Sequence, residues 1–174
     1  MDFDLLLIQK MKHGDENAFD LFVRKYYAEI LKYCSYHCFD ILYAEDLTQE
    51  TFLRFFEKLS DYRYLGKTRN YLYTIAGNLC KDYYKRAKES QLDEPPENLQ
   101  TTFPQSETAD ILNKITMEAA LNRLPEELQE VIILYYFQWL KLKEIADTLQ
   151  IGLPLVKYRI KQAKMRLKEL LGEE

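Results

Sequence analysis

Two stretches of the sequence carry the residue types that bind nucleic acid. The first, Tyr62–Lys88, holds seven Lys and Arg residues against one acid, with tyrosines interleaved among them. The second, Lys157–Lys168, holds six bases and no acid. Cationic side chains displace counterions from a phosphate backbone, and aromatic rings stack on unpaired bases. The first stretch therefore suits single-stranded DNA, whereas charge alone leaves the second either a DNA-binding face or merely a solvated one.

The overall composition hides these basic stretches, because the formal net charge of the 174 residues is −4. Acids concentrate in the N-terminal helices and in Glu89–Asp110, which contains six acids and no base. No apolar run approaches the roughly 20 residues needed to span a bilayer, and Met1–Lys12 lacks the pattern of a signal peptide. We therefore expect a cytoplasmic protein that is not inserted in a membrane.

A second kind of chemistry is conceivable at Cys34, His37 and Cys38, which stand at helical spacing. Zinc normally requires four ligands, and only His13 and Cys80 could complete the set. The alternative, that the cysteines are buried core thiols, is favoured. The sequence also contains no phosphate-binding glycine loop and no supported catalytic triad or carboxylate pair. The expectation is a protein without enzymatic activity, cofactor or bound metal.

Apolar residues that recur every three or four positions predict an all-α protein. The helices expected in the N-terminal half are Asp4–Met11, Asp15–Cys38, Tyr43–Leu59 and Thr68–Lys88. Prolines and weak periodicity mark Gln91–Gln105 as extended, and a helical pattern resumes near Glu107. Later helices are expected over Pro125–Phe137, Leu142–Leu149 and Leu153–Leu171. We therefore predict two small helical domains, over residues 1–90 and 111–174, joined by an acidic linker over 91–110.

The last two helices are predicted to form a helix-turn-helix around Gln150-Ile151-Gly152, with Ala146 where the helices approach most closely. Its small core is expected to comprise Ile145, Leu149, Ile151, Val156 and Ile160. The second helix would then present five side chains for contact with duplex DNA, namely Lys157, Tyr158, Lys161, Gln162 and Lys164. Many activators and repressors carry such a unit. Taken alone, it leaves open an ordinary regulator whose N-terminal helices dimerise or sense a ligand.

The motifs in both halves point to one family. Leu124-Pro125, Glu144-Ile145-Ala146 and Val156-Lys157-Tyr158-Arg159 resemble region 4 of bacterial RNA polymerase sigma factors of the sigma-70 family, in the extracytoplasmic-function (ECF) group. Other segments resemble the successive motifs of sigma region 2, namely Gly14–Phe19, Ala44–Leu53 and Tyr71–Asn78 followed by Asp82. The two resemblances occur in the order that the family has.

The resemblance implies an alternative sigma factor that binds core RNA polymerase and directs promoter-specific initiation. Region 2 would bind the polymerase clamp through Glu45, Asp46, Gln49 and Glu50. It would recognise and melt the minus-ten element through Tyr62, Arg63, Tyr64, Lys67, Arg69, Asn78, Lys81 and Lys85. Region 4 would bind the minus-thirty-five element through Leu155, Lys157, Tyr158, Arg159, Lys161, Gln162 and Lys164. An anti-sigma partner and passage of the acidic linker along the RNA path of polymerase are also implied.

In the region 2 segment, this chain departs from the family pattern at three positions. Tyr64 stands where the loop often has Gly, Thr68 where an aromatic residue is usual, and Tyr71 where Trp is frequent. Some tyrosines must be core residues, and we expect Tyr83 and either Tyr71 or Tyr73 to be among them.

In the region 4 segment, Gln150 occupies a turn position often filled by Gly, and Pro154-Leu155 replace a Gly-Thr pair. Proline is compatible with the first turn of a helix. Leu155 lacks a hydroxyl that could bind phosphate, but it could contact a thymine methyl.

Overall fold

The computed structural model describes residues 2–38, 40–90 and 117–172, and all regular structure within those ranges is helical. The chain divides into two compact units, Met1–Gln100 and Thr101–Glu174. The predicted all-α class with two helical domains is therefore confirmed. The predicted linker over 91–110 lies outside the described residues, so the domain boundaries stay a prediction. None of the described helices is both long enough and apolar enough to cross a membrane.

Within its described residues, the first unit has four helices that match their predicted bounds to within two residues. They are α1 (Phe3–Lys12), α2 (Glu16–Cys38), α3 (Ile41–Glu57) and α4 (Thr68–Ser90). Aspartates cap two of them: Asp2 accepts a hydrogen bond from the Asp4 N–H at 3.0 Å, and Asp40 accepts one from the Leu42 N–H at 2.9 Å. Gly14 has a φ of +83° and allows the sharp turn from α1 into α2.

The core of this unit is aromatic. The ring of Phe22 on α2 stacks on Phe55 of α3 at 4.8 Å between centroids, and α4 contributes the fully buried Leu72 and Tyr73. Burying one such side chain stabilises the fold by about 1.5–3 kcal/mol. Phe56 is only half-buried, because it lies at the margin of this core with its ring edge against Phe19.

The described part of the second unit includes a helical segment over residues 117–123. It continues with α5 (Glu126–Ile132), a π-helical turn (Ile133–Phe137), α6 (Leu142–Leu149) and α7 (Leu153–Leu171). The helix predicted from Pro125 to Phe137 thus widens at Ile133, where the Gln138 N–H reaches the Ile133 carbonyl at 3.0 Å. Four successive residues, Val131–Leu134, are buried, more than one stripe of a regular α-helix presents.

Among the described residues of this unit, two that are not glycine adopt the left-handed backbone conformation. Gln150 (φ 57°) ends α6, which explains why glycine suits that turn, and its side-chain amide donates to the Asp147 carbonyl at 2.7 Å. Trp139 (φ 59°) lies between the π-helical turn and α6, and its side chain is 80% exposed. A residue with a β-carbon is less stable in this conformation by about 1–2 kcal/mol.

We expect Trp139→Gly to raise the free energy of unfolding of the second unit by about 0.5–1 kcal/mol, because glycine adopts positive φ without a clash and little packing is lost. Calorimetric unfolding of the full-length protein measures this. Trp139→Ala is the matched control, since it removes the ring but keeps the β-carbon and should not stabilise. Equal effects of the two substitutions would contradict the strained-backbone explanation.

Candidate nucleic-acid interface

The basic face of α7 lies opposite its buried face. Val156, Ile160 and Ala163 recur at three and four positions and are buried. The side chains that are exposed on the other side are Lys157, Tyr158, Lys161 and Lys164. Tyr158 is 59% exposed and Leu155, at the start of the helix, is 39% exposed. The helix therefore presents cations together with aromatic and aliphatic side chains at the surface.

Two residues predicted for the same face lie elsewhere on the helix. Arg159 is half-buried and its Nη2 lies 3.6 Å from the Glu127 carboxylate on α5, with the arginine side chain 18% exposed. Gln162 is also half-buried. Because Arg159 is paired with Glu127 on α5, its main effect is to position α7 against α5.

The turn between α6 and α7 follows the predicted helix-turn-helix arrangement. Ile145, Val156 and Ile160 are buried, whereas Leu149 and Ile151 are half-buried. Pro154 lies in the first turn of α7, as expected from its missing N–H. The turn holds α7 in a fixed direction relative to α6, as groove insertion requires.

The loop Tyr62–Lys67 forms the second part of the connection between α3 and α4 in the first unit. The Tyr62 ring is half-buried, stacked on Tyr71 at 5.2 Å and edge-on to Phe55 at 5.1 Å. Its hydroxyl lies 3.2 Å from Oγ1 of Thr68, which is only 2% exposed. Tyr62 therefore packs the loop against the core. A DNA base could stack only on the face of the Tyr62 ring that is not packed against Tyr71. That face would have to stay accessible in the DNA complex.

The middle of the loop is at the surface. Arg63, Leu65 and Lys67 are exposed, and Gly66 has a φ of +73°. Tyr64 is half-buried, and its hydroxyl donates a hydrogen bond to the Asp2 carboxylate. That bond raises the pKa of Tyr64 to about 12. Cations and one oriented tyrosine thus line the exposed part of the loop.

Helix α4 continues this surface, and its predicted DNA-binding residues differ in how exposed they are. Asn78 and Lys85 are exposed, and Lys81 is half-buried. Arg69 Nε lies 2.8 Å from the Glu29 carboxylate on α2, and its guanidinium lies 5.6 Å from the centre of the Tyr73 ring. Arg69 is therefore tied into the contact between α2 and α4.

The tyrosines divide between core and surface differently from the prediction. Tyr73 is fully buried, which confirms one expected core tyrosine, and Tyr71 is half-buried. Tyr83, also expected in the core, is half-buried, with its ring 5.0 Å from that of Tyr43. Tyr43 itself is 49% exposed, so the pair lies at the edge of the bundle rather than in its centre.

Helix α3 presents a different kind of surface. Asp46 and Gln49 are exposed, whereas Glu45 and Glu50 are half-buried. Glu50 also accepts from Arg54 Nε at 3.2 Å. The apolar Leu42 (68% exposed) and Leu53 (56%) share this helix, a feature that the sequence analysis missed. Acidic, amide and apolar groups together suit a basic protein partner and would repel DNA phosphate.

The side chains weighed as a metal or thiol site are in the core. Cys34, His37 and Cys38 are buried, and the Cys38 thiol donates to the Cys34 carbonyl at 3.0 Å. Burial raises the pKa of Cys38 to about 12, which disfavours the thiolate that metals and redox partners need. Over the described residues, no group of three or more His, Cys, Asp or Glu side chains is placed to hold a metal ion.

Family comparisons match both units. The model for Sigma-70 region 2 matches residues 22–90, and that for Sigma-70 region 4 matches residues 115–167. The RNA polymerase sigma factor YlaC of Bacillus subtilis is 34% identical over 164 residues, covering 91% of this chain and 94% of YlaC. The ECF RNA polymerase sigma factor SigW of the same organism is 27% identical, with 95% of each chain covered.

Solved structures share the fold. CnrH, in complex with the cytosolic domain of CnrY, superposes with a TM-score of 0.75 at 22% identity and covers 98% of both chains. The sigma factor RpoE of Bartonella quintana, in complex with the anti-sigma factor NepR, gives a TM-score of 0.73 at 23% identity. That match covers 88% of this chain and 96% of RpoE.

One buried group makes the first unit sensitive to acid. Complete burial lowers the pKa of His37 to about 3, well below the value near 6.5 expected in the unfolded chain. The unfolded state therefore binds the proton more tightly. The stability from the neutral ring is present above about pH 6.5 and is lost as the pH falls toward 3. We expect the free energy of unfolding to fall by roughly 2 kcal/mol between pH 7 and pH 5.

Chemical denaturation across this pH range measures the effect. His37→Met, which fills a similar volume without a titratable ring, should flatten the profile. The other histidine, His13, is exposed, and His13→Gln is the control expected to keep the wild-type slope. If the His37→Met protein keeps the full slope, the acid sensitivity arises from another group.

Proposed function

The chain belongs to the sigma-70 family of RNA polymerase sigma factors, in the ECF group, and we propose that it uses two separate DNA-binding surfaces to start transcription at particular promoters. It is an alternative sigma factor and a transcription initiation factor without catalytic activity of its own. The observation that carries the proposal is the presence in one chain of region 2 and region 4. Region 2 contains an aromatic and basic loop, and region 4 contains a basic recognition helix. We place its action in the cytoplasm, where polymerase is found.

In this proposal, α7 enters the major groove of the minus-thirty-five element. Lys157, Lys161 and Lys164 bind phosphate, while Tyr158 and Leu155 face the bases. Arg159 and Gln162 contribute mainly at the margin, since both are half-buried and Arg159 is paired with Glu127. This division separates direct DNA contacts from residues that orient the helix.

In the same proposal, the loop Tyr62–Lys67 and α4 bind the melted strand of the minus-ten element. Arg63, Lys67 and Lys85 are exposed cations for the backbone, and Asn78 is an exposed amide for a base edge. Tyr64 is the tyrosine with its ring at the loop surface. Tyr62, Arg69 and Lys81 support this surface from positions closer to the core.

The clamp of core polymerase is proposed to bind α3. Asp46 and Gln49 supply exposed polar contacts, and Glu45 and Glu50 add negative charge beside them. The exposed Leu53 supplies apolar area that a solvated helix would not need. We also propose an anti-sigma partner, because CnrH and RpoE, which share this fold, are each found bound to another protein, in RpoE an anti-sigma factor.

An ordinary helix-turn-helix regulator is the competing function, and the region 2 match disfavours it. Such a regulator binds duplex DNA, commonly as a symmetric dimer, and does not need core polymerase to select a start site. Run-off transcription with purified core polymerase tests the difference. The sigma function predicts transcripts from defined start sites only when this protein is added. Their absence on every promoter tried, including the region upstream of its own gene, would refute it.

We expect Asp46→Ala combined with Gln49→Ala to weaken binding to core polymerase by about tenfold or more, because the variant removes two exposed contacts on α3. Fluorescence anisotropy with labelled protein and core enzyme measures this. Glu57→Ala, which removes an exposed acid at the end of the same helix, is the matched control. Affinity for minus-thirty-five duplex should not change. Equal loss of polymerase and duplex binding would contradict the assigned division of labour.

We expect Lys161→Ala to weaken duplex binding to all sequences alike and to reduce the slope of log affinity against log salt by about 1, since one phosphate contact is lost. Arg159→Ala should instead lower the thermal stability of the second unit, because Glu127 loses its partner. Binding titrations at several salt concentrations, together with thermal unfolding, distinguish the two. A full unit of salt slope lost in the Arg159 variant would show that this side chain reaches DNA directly.

A further inference from the structure

Helix α1 contacts the loop Tyr62–Lys67 at both of its ends. At the C-terminal end, Lys12 Nζ donates a 2.6 Å hydrogen bond to the backbone carbonyl of Tyr62. At the N-terminal end, the Asp2 carboxylate accepts a hydrogen bond from the Tyr64 hydroxyl. A ten-residue helix is about 15 Å long. Two contacts so far apart on α1 restrain the direction of the loop as well as its position.

The helix that makes these contacts is itself fixed. Leu7, Ile8 and Met11 are each 2% exposed. The Asp4 carboxylate, also buried, accepts hydrogen bonds from the Tyr26 hydroxyl and from Lys25 Nζ, the latter at 2.5 Å. Both donors lie on α2. Because α1 is held by apolar packing and by this polar cluster, it can serve as a rigid support for a loop.

The two residues that reach the loop have well-defined local roles. One oxygen of Asp2 caps α1 through the Asp4 N–H, and the other accepts from Tyr64, so the carboxylate is oriented from both sides. The Lys12 contact is to a backbone atom and therefore sets the path of the chain rather than one side chain. The loop needs such support, since Leu65 is 78% exposed and Gly66 has a permissive backbone.

We propose that α1 is a brace that holds the Tyr62–Lys67 loop in the shape that accepts the melted minus-ten strand, with Lys12 and Asp2 as positioning residues. The inference rests on the proposed function of the loop and adds to it. A loop that is already ordered loses less conformational entropy when DNA binds, which increases affinity. The Tyr64 hydroxyl is held by Asp2, which fixes the orientation of the ring.

The test uses holoenzyme assembled from core polymerase and the full-length protein. The probe is a fluorescent oligonucleotide carrying the non-template minus-ten strand of a promoter whose start site has been mapped for this protein. Tyr64→Phe removes the hydroxyl and keeps the ring, and Lys12→Met removes the donor and keeps most of the side-chain length. Each should weaken probe binding by roughly three- to tenfold, the range expected from the net contribution of one hydrogen bond.

Three further variants separate bracing from general effects. Lys12→Arg keeps a donor and should restore most of the affinity, whereas Lys10→Met removes an exposed charge from the same helix and should have no effect. Asp2→Asn keeps an oxygen for the helix cap but weakens the bond to Tyr64. Combining Asp2→Asn with Tyr64→Phe should reduce probe affinity no more than the larger single change does, because both substitutions affect the same hydrogen bond.

The results decide between bracing and its alternatives. Selective loss of probe binding, with core binding, minus-thirty-five duplex binding and thermal stability unchanged, supports the brace. Wild-type probe affinity in both the Tyr64→Phe and Lys12→Met proteins overturns it. A parallel fall in stability and in all binding also overturns it, in favour of a purely structural helix. Tighter binding would mean that α1 restrains the loop away from DNA. If wild-type holoenzyme fails to initiate at any promoter, the proposed function itself is wrong.

Discussion

The stacking of Phe22 on Phe55 at the centre of α2, α3 and α4 is the interaction on which the first unit depends. Both rings are fully buried, and Tyr62 and Tyr71 extend the same aromatic cluster toward the surface. Because this packing fixes where α3 ends and α4 begins, it also fixes the loop between them. The acidic face of α3 and the aromatic loop are therefore set in place by one core, although we propose different partners for them.

Segregation of charge lets a chain with a net charge of −4 bind DNA. Acids lie on the exposed side of α3, whereas cations lie on α4 and α7. The cations are not equivalent. Arg69 and Arg159 are paired with Glu29 and Glu127, while Lys157 and Lys161 are exposed. Arginine suits the first role because its planar group binds a carboxylate in fixed geometry, and lysine suits contact with phosphate as a point charge.

The periodic apolar residues predicted the helices to within two residues in the first unit, because burial of one face is a local property of the sequence. Periodicity did not predict the π-helical turn at Ile133–Phe137 or the left-handed conformation of Trp139. Both depend on how neighbouring helices fit together. The exposed Leu42 and Leu53 were missed for a similar reason, since their apolar character agrees with a core position until the packing is known.

The sequence by itself determined the helical class, the order of the two domains, the family and the stretches that carry charge for DNA, since all of these depend on residue type and spacing. Only the tertiary structure decided which members of each stretch are free to bind. Tyr62 and Tyr73 have the same residue type as Tyr64, yet the aromatic core holds the first two, while α1 orients the third. Contacts between residues as distant in sequence as Lys12 and Tyr62 arise from packing, which spacing along one helix does not specify.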